Sequence, residues 1–251
     1  MRFESFAMLV TAAMLAAPVA ARAEEIVVLS SVGIKAVVEE LEPGFEKTTA
    51  NDVTATFGLA SALKTRIEGG ERFDVAILTP ALLDELIAKG LVAADSRTVV
   101  ARVGLGLMVK AGAPKLEVGT VDELKRTLLA ARSVTYASSG ASGVAFLKII
   151  DDLGIAAEVK AKARPAASGD EVNANVLGGE SDLAVLPISE ILPVAGTELG
   201  AVFPAPVQTY VLMAAGVSTG ARGRAPQDFV AFLAAPDNDG VVRAKGMERV
   251  R

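Results

Sequence analysis

The sequence predicts an α/β protein in which parallel strands alternate with crossover helices. Three observations support this fold class: apolar runs of strand length recur along the chain, amphipathic helical segments separate them, and the junctions between them are rich in Ser, Thr and Gly. The chain has 251 residues, enough for one large domain or two small ones. No fixed-period repeat and no low-complexity linker interrupts the alternation.

The predicted elements follow one another in a regular order. The run IVVLS, residues 26–30, precedes a helix whose apolar residues from Ile34 to Phe45 recur at the spacing of one buried face. Thr120 and Glu123 have the spacing of a capping box at the start of a later helix. Further strands are predicted at 53–57, 74–78, 105–110, 133–137, near 159–163, at 182–186 and at 209–216. Helices follow most of these strands, and the last three lie near 169–177, 226–233 and 239–244.

The first 23 residues have the pattern of a secretory signal peptide. Arg2 precedes an apolar segment rich in Ala and Leu, and Ala21-Arg22-Ala23 matches the small-x-small cleavage pattern. The apolar segment is broken by a proline and is too short to span a membrane. We therefore expect residues 1–23 to be removed and the mature chain to reach the periplasm. The chain contains no cysteine, so we expect neither a lipid anchor nor a disulfide.

The composition of the mature chain excludes several classes of partner. Without Arg2, Arg22 and Glu4 the chain keeps 23 basic and 29 acidic residues, a net charge of −6, which argues against nucleic acid. It has no His and no Cys, so no metal site and no cofactor are expected. It has no Trp and only 4% aromatic residues, which argues against stacking on sugars. Small carboxylates and inorganic oxyanions remain as ligand classes.

Five junctions between a strand and the next helix carry hydroxyl or glycine residues and no basic side chain. They lie at 30–33, 58–61, 79–80, 138–143 and 168–170. Ligands of open parallel sheets bind past the carboxyl ends of the strands, where helix starts offer unpaired N–H groups. Ordinary helix capping explains any one junction, but five together predict an anion site made of neutral donors. Lys35 lies in the first turn of its helix beside the buried face of Ile34, and we expect its side chain to be solvated rather than to bind the ligand.

The fourth junction, YASSGASGVAF, raises the question of why it has so many small residues. We expect Ser139, Ser142 and Gly143 to bring bare backbone to the ligand. On this interpretation a bulky residue at Gly143 blocks the ligand while leaving the core undisturbed.

Several blocks of the chain carry a resemblance to a known family. They are VVLSSVGIKAVVEELEPGFEK, VTATFGLASALKTRIEGGERFDVAIL, SGASGVAFLKIIDDLGI, LGGESDLAVLPISEIL and AKGM. In order and spacing they resemble the periplasmic molybdate-binding-protein-like family of ATP-binding cassette transporters. The resemblance implies a class II periplasmic binding protein fold, with two α/β lobes, a ligand cleft between them and two crossover segments. It places lobe one at 24–102 and 206–251, and lobe two at 103–205.

The resemblance also implies which residues hold the ligand. Molybdate binders of this family hold an oxyanion by serine hydroxyls and backbone N–H groups at these helix starts. The matching positions here are Val32 with Ser31 beside it, Ala60 with Ser61 beside it, Thr79, Ser142 and Gly169. Ser30, in the first junction, is a further candidate. The family's tyrosine is matched by Pro187. Because two hydroxyls and a phenol of the molybdate pattern are absent, the identity of the anion stays open.

The resemblance leaves more than one function open. It implies a monomeric solute-binding protein that passes a small anion to the membrane permease of an importer, with no catalytic residue. Some members that resemble this branch are periplasmic isomerases of aconitate, so an enzyme that acts on tricarboxylates is the alternative. A sensory domain is a third interpretation. No acid–base pair stands out by its spacing in the chain.

Overall fold

The computed structural model describes residues 24–250. The predicted signal peptide, residues 1–23, lies outside the described residues. Among the helices that are described, none has the length and apolar character needed to cross a membrane.

The first half of the chain alternates strands and helices up to one long strand. Its elements are β1 (Glu25–Ser31), α1 (Lys35–Thr49), β2 (Asp52–Gly58), α2 (Ala60–Glu68), β3 (Val75–Leu78), α3 (Pro80–Ala88) and β4 (Thr98–Lys110). A short 3₁₀ turn, Val32–Ile34, links β1 to α1.

The second half starts with α4, which has the predicted capping box between Thr120 and Glu123. Its elements are α4 (Val121–Ala130), β5 (Val134–Ala137), α5 (Ala141–Asp152), α6 (Ala156–Lys160), β6 (Ala163–Ala166), α7 (Gly169–Leu177), β7 (Leu183–Pro187), α8 (Ile188–Ile191), β8 (Thr197–Val202), β9 (Tyr210–Val217), α9 (Ala225–Ala234), α10 (Asp239–Ala244) and β10 (Met247–Glu248).

The strands form one path in the order β2-β1-β3-β9-β4-β7-β5-β6, and β8 and β10 also pair with β4. The outer strands pair in parallel, as predicted, but every pair that involves β4 or β9 is antiparallel. Strand β4 pairs with β9 up to Gly104 and with β7 from Leu105 onward. We call the elements on the β9 side lobe one and those on the β7 side lobe two. The exact residue ranges predicted for the lobes remain a prediction.

Helices cover both faces of the sheet in each lobe. In lobe one, α1 and α9 meet through Phe45 and Phe229, whose ring centroids are 5.0 Å apart in an edge-to-face arrangement. The opposite face of lobe one is covered by α2 and α3 through a second apolar cluster that includes Leu63 and Leu83. Because both faces are buried, the carboxyl edges of the strands, where the junctions lie, remain as the place for a site.

The predicted element order differs from the structure at several places: α6, α8, β8 and β10 were not predicted, and one predicted strand is misplaced. The strand predicted near 159–163 is wrong: α6 ends at Lys160, and β6 begins only at Ala163. Val159 is fully buried on the face of α6, and a single buried apolar residue in a short run does not distinguish a helix from a strand. Strand β8 was missed because TELGAV lacks a run of β-branched residues.

The two segments that connect the lobes are joined by the side chain of Gln208. Its Oε1 accepts a hydrogen bond from the N–H of Leu105 at 2.7 Å, and its Nε2 donates to the carbonyl of Leu105 at 3.1 Å and to that of Phe203 at 3.4 Å. A side chain on Gly104 would begin 2.9 Å from that Nε2 atom. Glycine at this position therefore leaves room for the amide of Gln208 to act as a strand partner.

Replacing Gln208 with Leu is expected to lower the free energy of unfolding by about 1–3 kcal/mol, because the N–H of Leu105 loses its acceptor while partly buried. The carbonyl of Leu105 loses one donor and keeps the N–H of Phe203. Urea unfolding followed by circular dichroism measures the change. Gln227→Leu, at an exposed position of α9, is the matched control and should stay within about 0.5 kcal/mol of the parent. Equal losses in both variants would contradict the role given to Gln208.

Candidate functional site

A small enclosed cavity lies where the strand-to-helix junctions of the two lobes meet. Lobe one contributes the end of β1, the starts of α2 and α3, and β9; lobe two contributes the start of α5 and the segment after β7. Its volume is about 30 Å³, which is the space of roughly one water molecule. Five of the residues predicted to bind the ligand line it: Ser31, Val32, Ala60, Thr79 and Ser142.

A larger pocket of about 540 Å³ adjoins this cavity. Val32, Leu59 and Glu190 line both spaces. Gly169, the predicted fifth backbone donor, lines the larger pocket at the start of α7. Together the two spaces form what we call the cleft, and the larger one has the volume typical of small-molecule sites.

Four predicted residues lie outside the cleft lining: three serines and Gly143. Ser30 is fully buried, and its Oγ donates to the carbonyl of Ser31 at 3.3 Å. Ser61 and Ser139 are exposed and line neither space. Their roles as ligand contacts remain predictions that this geometry does not support.

Gly143 requires a correction. It is buried, and a Cβ atom there would overlap the carbonyl oxygen of Ala137 and lie 3.2 Å from the ring of Tyr136. The glycine therefore lets α5 pack closely on β5 within its own lobe. The expectation that a bulky residue would block only the ligand is wrong, because the residue would first collide with the backbone of β5.

The two lobes touch through α8. The hydroxyl of Ser189 donates to the carbonyl of Gly33 at 2.6 Å. On the other side of that turn, Ser31 Oγ accepts from the N–H of Gly33 at 3.3 Å. Side chains from β1 and from α8 therefore fix the 3₁₀ turn that forms one wall of the cavity.

Glu190, on α8, is the residue that sequence reasoning missed. It is partly buried and lines both spaces of the cleft. Burial and, to a smaller extent, the nearby carboxylate of Asp170 together raise the pKa of its carboxyl to about 7. In the sequence, Glu190 appears only as an acidic residue three positions after Pro187, where a strand ends. That position does not reveal that the carboxyl group is buried.

Charge in the larger pocket is mainly acidic. Lys35 lines it together with three acids, Glu39, Asp170 and Glu190. The Nζ of Lys35 lies 3.6 Å from Glu39 and 5.6 Å from the ring centroid of Phe57. Asn173 also lines the pocket, and its Oδ1 atom is buried without a partner in the described part of the chain. An orphaned polar atom in a pocket indicates a missing polar group.

Comparison with known proteins identifies the family. The family model described as bacterial extracellular solute-binding protein matches residues 26–248. The chain belongs to this family. The chain is also similar to an aconitate isomerase from Pseudomonas sp., with 32% identity over an alignment that covers 89% of this chain and 87% of that protein.

Solved structures confirm the class II periplasmic binding protein fold that the sequence predicted. The periplasmic molybdate-binding protein of Azotobacter vinelandii aligns with a TM-score of 0.78 at 17% identity, covering 90% of this chain and 100% of that one. The sulfate-binding protein SubI of Mycobacterium tuberculosis aligns with a TM-score of 0.73 at 13% identity, covering 90% and 87%. At these identities the structures establish the fold, and the ligand has to be argued from the site.

The packing of Gly143 gives a stability prediction. Gly143→Ala is expected to lower the free energy of unfolding by about 1–3 kcal/mol, because the added methyl group collides with the carbonyl of Ala137. Gly240→Ala in α10, where nothing lies within 4 Å of the added atom, is the control and should be neutral or stabilising by about 0.4–1 kcal/mol. Thermal and urea unfolding measure both, and an unchanged Gly143 variant would contradict the packing argument.

Proposed function

We propose that this solute-binding protein holds a small carboxylate anion in the cleft and delivers it to the membrane permease of an ATP-binding cassette importer. The observation that carries the proposal is the convergence of helix starts on the small cavity, with Ser31, Thr79 and Ser142 among its lining residues. First-turn N–H groups have no partner inside their helix and carry a partial positive charge. They attract an anion without any basic side chain.

The shape of the cleft favours a carboxylate over a compact oxyanion. The cavity of about 30 Å³ takes one small polar group, and the adjoining pocket of about 540 Å³ takes the rest of a longer molecule. Val32 and Ala60 line the cavity at the positions where molybdate binders are expected to have serine hydroxyls. Pro187 lines it at the position of their tyrosine. A tetrahedral anion would therefore find fewer hydrogen-bond donors here than the molybdate pattern provides.

The proposed place of action is the periplasm. Support comes from the signal-peptide pattern of residues 1–23 and from the extracellular description of the family. We propose that the mature protein acts as a monomer, because both walls of the cleft come from one chain.

A ligand screen tests the proposal. Citrate, trans-aconitate and succinate are expected to raise the melting temperature of the mature protein more than molybdate or sulfate does, since a ligand that binds only the folded state stabilises it. Ser142→Ala is expected to weaken binding by about 0.5–1.5 kcal/mol, because a buried hydroxyl in the cavity wall is lost. Ser61→Ala, at an exposed position outside the cleft, is the control. Stabilisation by oxyanions alone would contradict the carboxylate proposal.

Isomerisation of an aconitate-like tricarboxylate is the second candidate function. It is favoured by the relative that is 32% identical over 89% of this chain. Moving a double bond along three carbons requires a group that takes a proton from one carbon and returns it to another. Glu190, in the cleft with a pKa of about 7, has the protonation equilibrium that such a group needs.

Incubation with trans-aconitate separates the two functions. A receptor returns the acid unchanged, and this is the expected outcome under the leading proposal. Chromatography against cis-aconitate standards detects conversion, with heat-denatured protein as the control. Conversion by the native protein that is lost in Glu190→Gln would replace the receptor function with the isomerase.

A further inference from the structure

The carboxyl group of Glu190 stands between the two walls of the cleft. Its Oε1 lies 3.5 Å from the point where a side chain on Gly33 would begin, and its Oε2 lies 3.3 Å from the same point on Gly169. Gly33 belongs to the 3₁₀ turn of lobe one, and Gly169 starts α7 in lobe two. Both walls carry a glycine at these points, so the carboxyl approaches the backbone of each lobe, and the side chain of Met213 packs beside Gly33.

No protein partner compensates an ionised Glu190. Within residues 24–250 it forms no hydrogen bond and no ion pair, and the groups that act on its carboxyl are the apolar surroundings and Asp170. The other charged groups of the pocket are Lys35 and Glu39 on α1, which lie 3.6 Å from each other. The remaining elements that line the cleft contribute no charged side chain. An anion at the helix starts would therefore meet a like charge if Glu190 were ionised.

We propose that Glu190 binds the ligand as a carboxylic acid, whose O–H donates a hydrogen bond to a carboxylate oxygen of the ligand. This inference rests on the proposed carboxylate-binding function. A neutral carboxyl has one donor, and a hydrogen bond from it to an anionic oxygen is among the stronger ones. When Glu190 is ionised before binding, one proton is taken from solution for each ligand bound. The acid thereby selects ligands that offer an ionised acceptor.

The affinity for the ligand is expected to fall as the pH rises, because the protonated form of Glu190 is the one that binds. The free carboxyl has a pKa of about 7, and a bound anion beside it raises that pKa further. Well below pH 7 Glu190 is already protonated, so its ionisation no longer affects the affinity. Above pH 7 the proton has to be taken up, so the dissociation constant is expected to rise roughly fivefold between pH 7 and 8 and about ninefold between pH 8 and 9.

Titration calorimetry measures the proton directly. Citrate and trans-aconitate, both ionised above pH 7, are titrated into the mature protein at pH 7, 8 and 9, in Tris and in a zwitterionic buffer, whose ionisation enthalpies differ. The parent protein is expected to take up close to one proton per ligand at pH 8. Citrate has no double bond to move, so its heat reports binding alone.

Three variants test whether the proton goes to Glu190. Glu190→Gln keeps a donor at the same place and is expected to bind with no proton uptake and a flat pH profile between pH 7 and 9. Glu180→Gln, an exposed position of lobe two, is the matched control and should keep the uptake of the parent. Asp170→Asn is expected to move the pH window downward, since Asp170 raises the pKa of Glu190.

The outcomes distinguish this inference from the function on which it rests. Binding whose proton uptake is the same in the parent and in Glu190→Gln would overturn the role of Glu190 and leave the carboxylate function intact. Absence of heat with both acids in the parent protein at every pH would overturn the carboxylate function, and this inference with it.

Discussion

One strand, β4, belongs to both lobes, and the site depends on this constraint. The strand changes partner from β9 to β7 between Gly104 and Leu105. At that point the amide of Gln208 ties the second connection to the first. Because both connections pass through one narrow region, the two sets of helix starts face each other across a cleft. Relative motion of the lobes, if a ligand drives it, has to bend these two segments.

The cleft combines two opposing electrostatic features. Helix starts favour negative charge, yet Glu190 lies among them and Asp170 and Glu39 line the adjoining pocket. These features are compatible when the central carboxyl is neutral, and its raised pKa allows this near pH 7. Lys35 adds little, since Glu39 lies 3.6 Å from its ammonium group. Under the proposed assignment, the small cavity offers neutral hydrogen-bond donors to an anion, and Glu190 is the one that titrates.

Transport and isomerisation draw on the same geometry. Both require a carboxylate to be enclosed between the lobes, and α8 contributes to that enclosure through the bond from Ser189 to Gly33. A proton held at Glu190 serves a receptor as a hydrogen-bond donor and serves an isomerase as a proton to be transferred.

The sequence by itself determined the order of most elements, the capping box at Thr120 and the junctions where an anion would bind, because periodicity and helix starts are local properties. It misassigned the segment around Val159, where one apolar residue fits a helix face as well as a strand. Only the tertiary structure decided the roles of Gly143 and Glu190. Gly143 is required because α5 packs closely on β5 at that point. The pKa of Glu190 depends on its burial and on the nearby Asp170. Burial and this contact arise only when segments distant in the chain pack together.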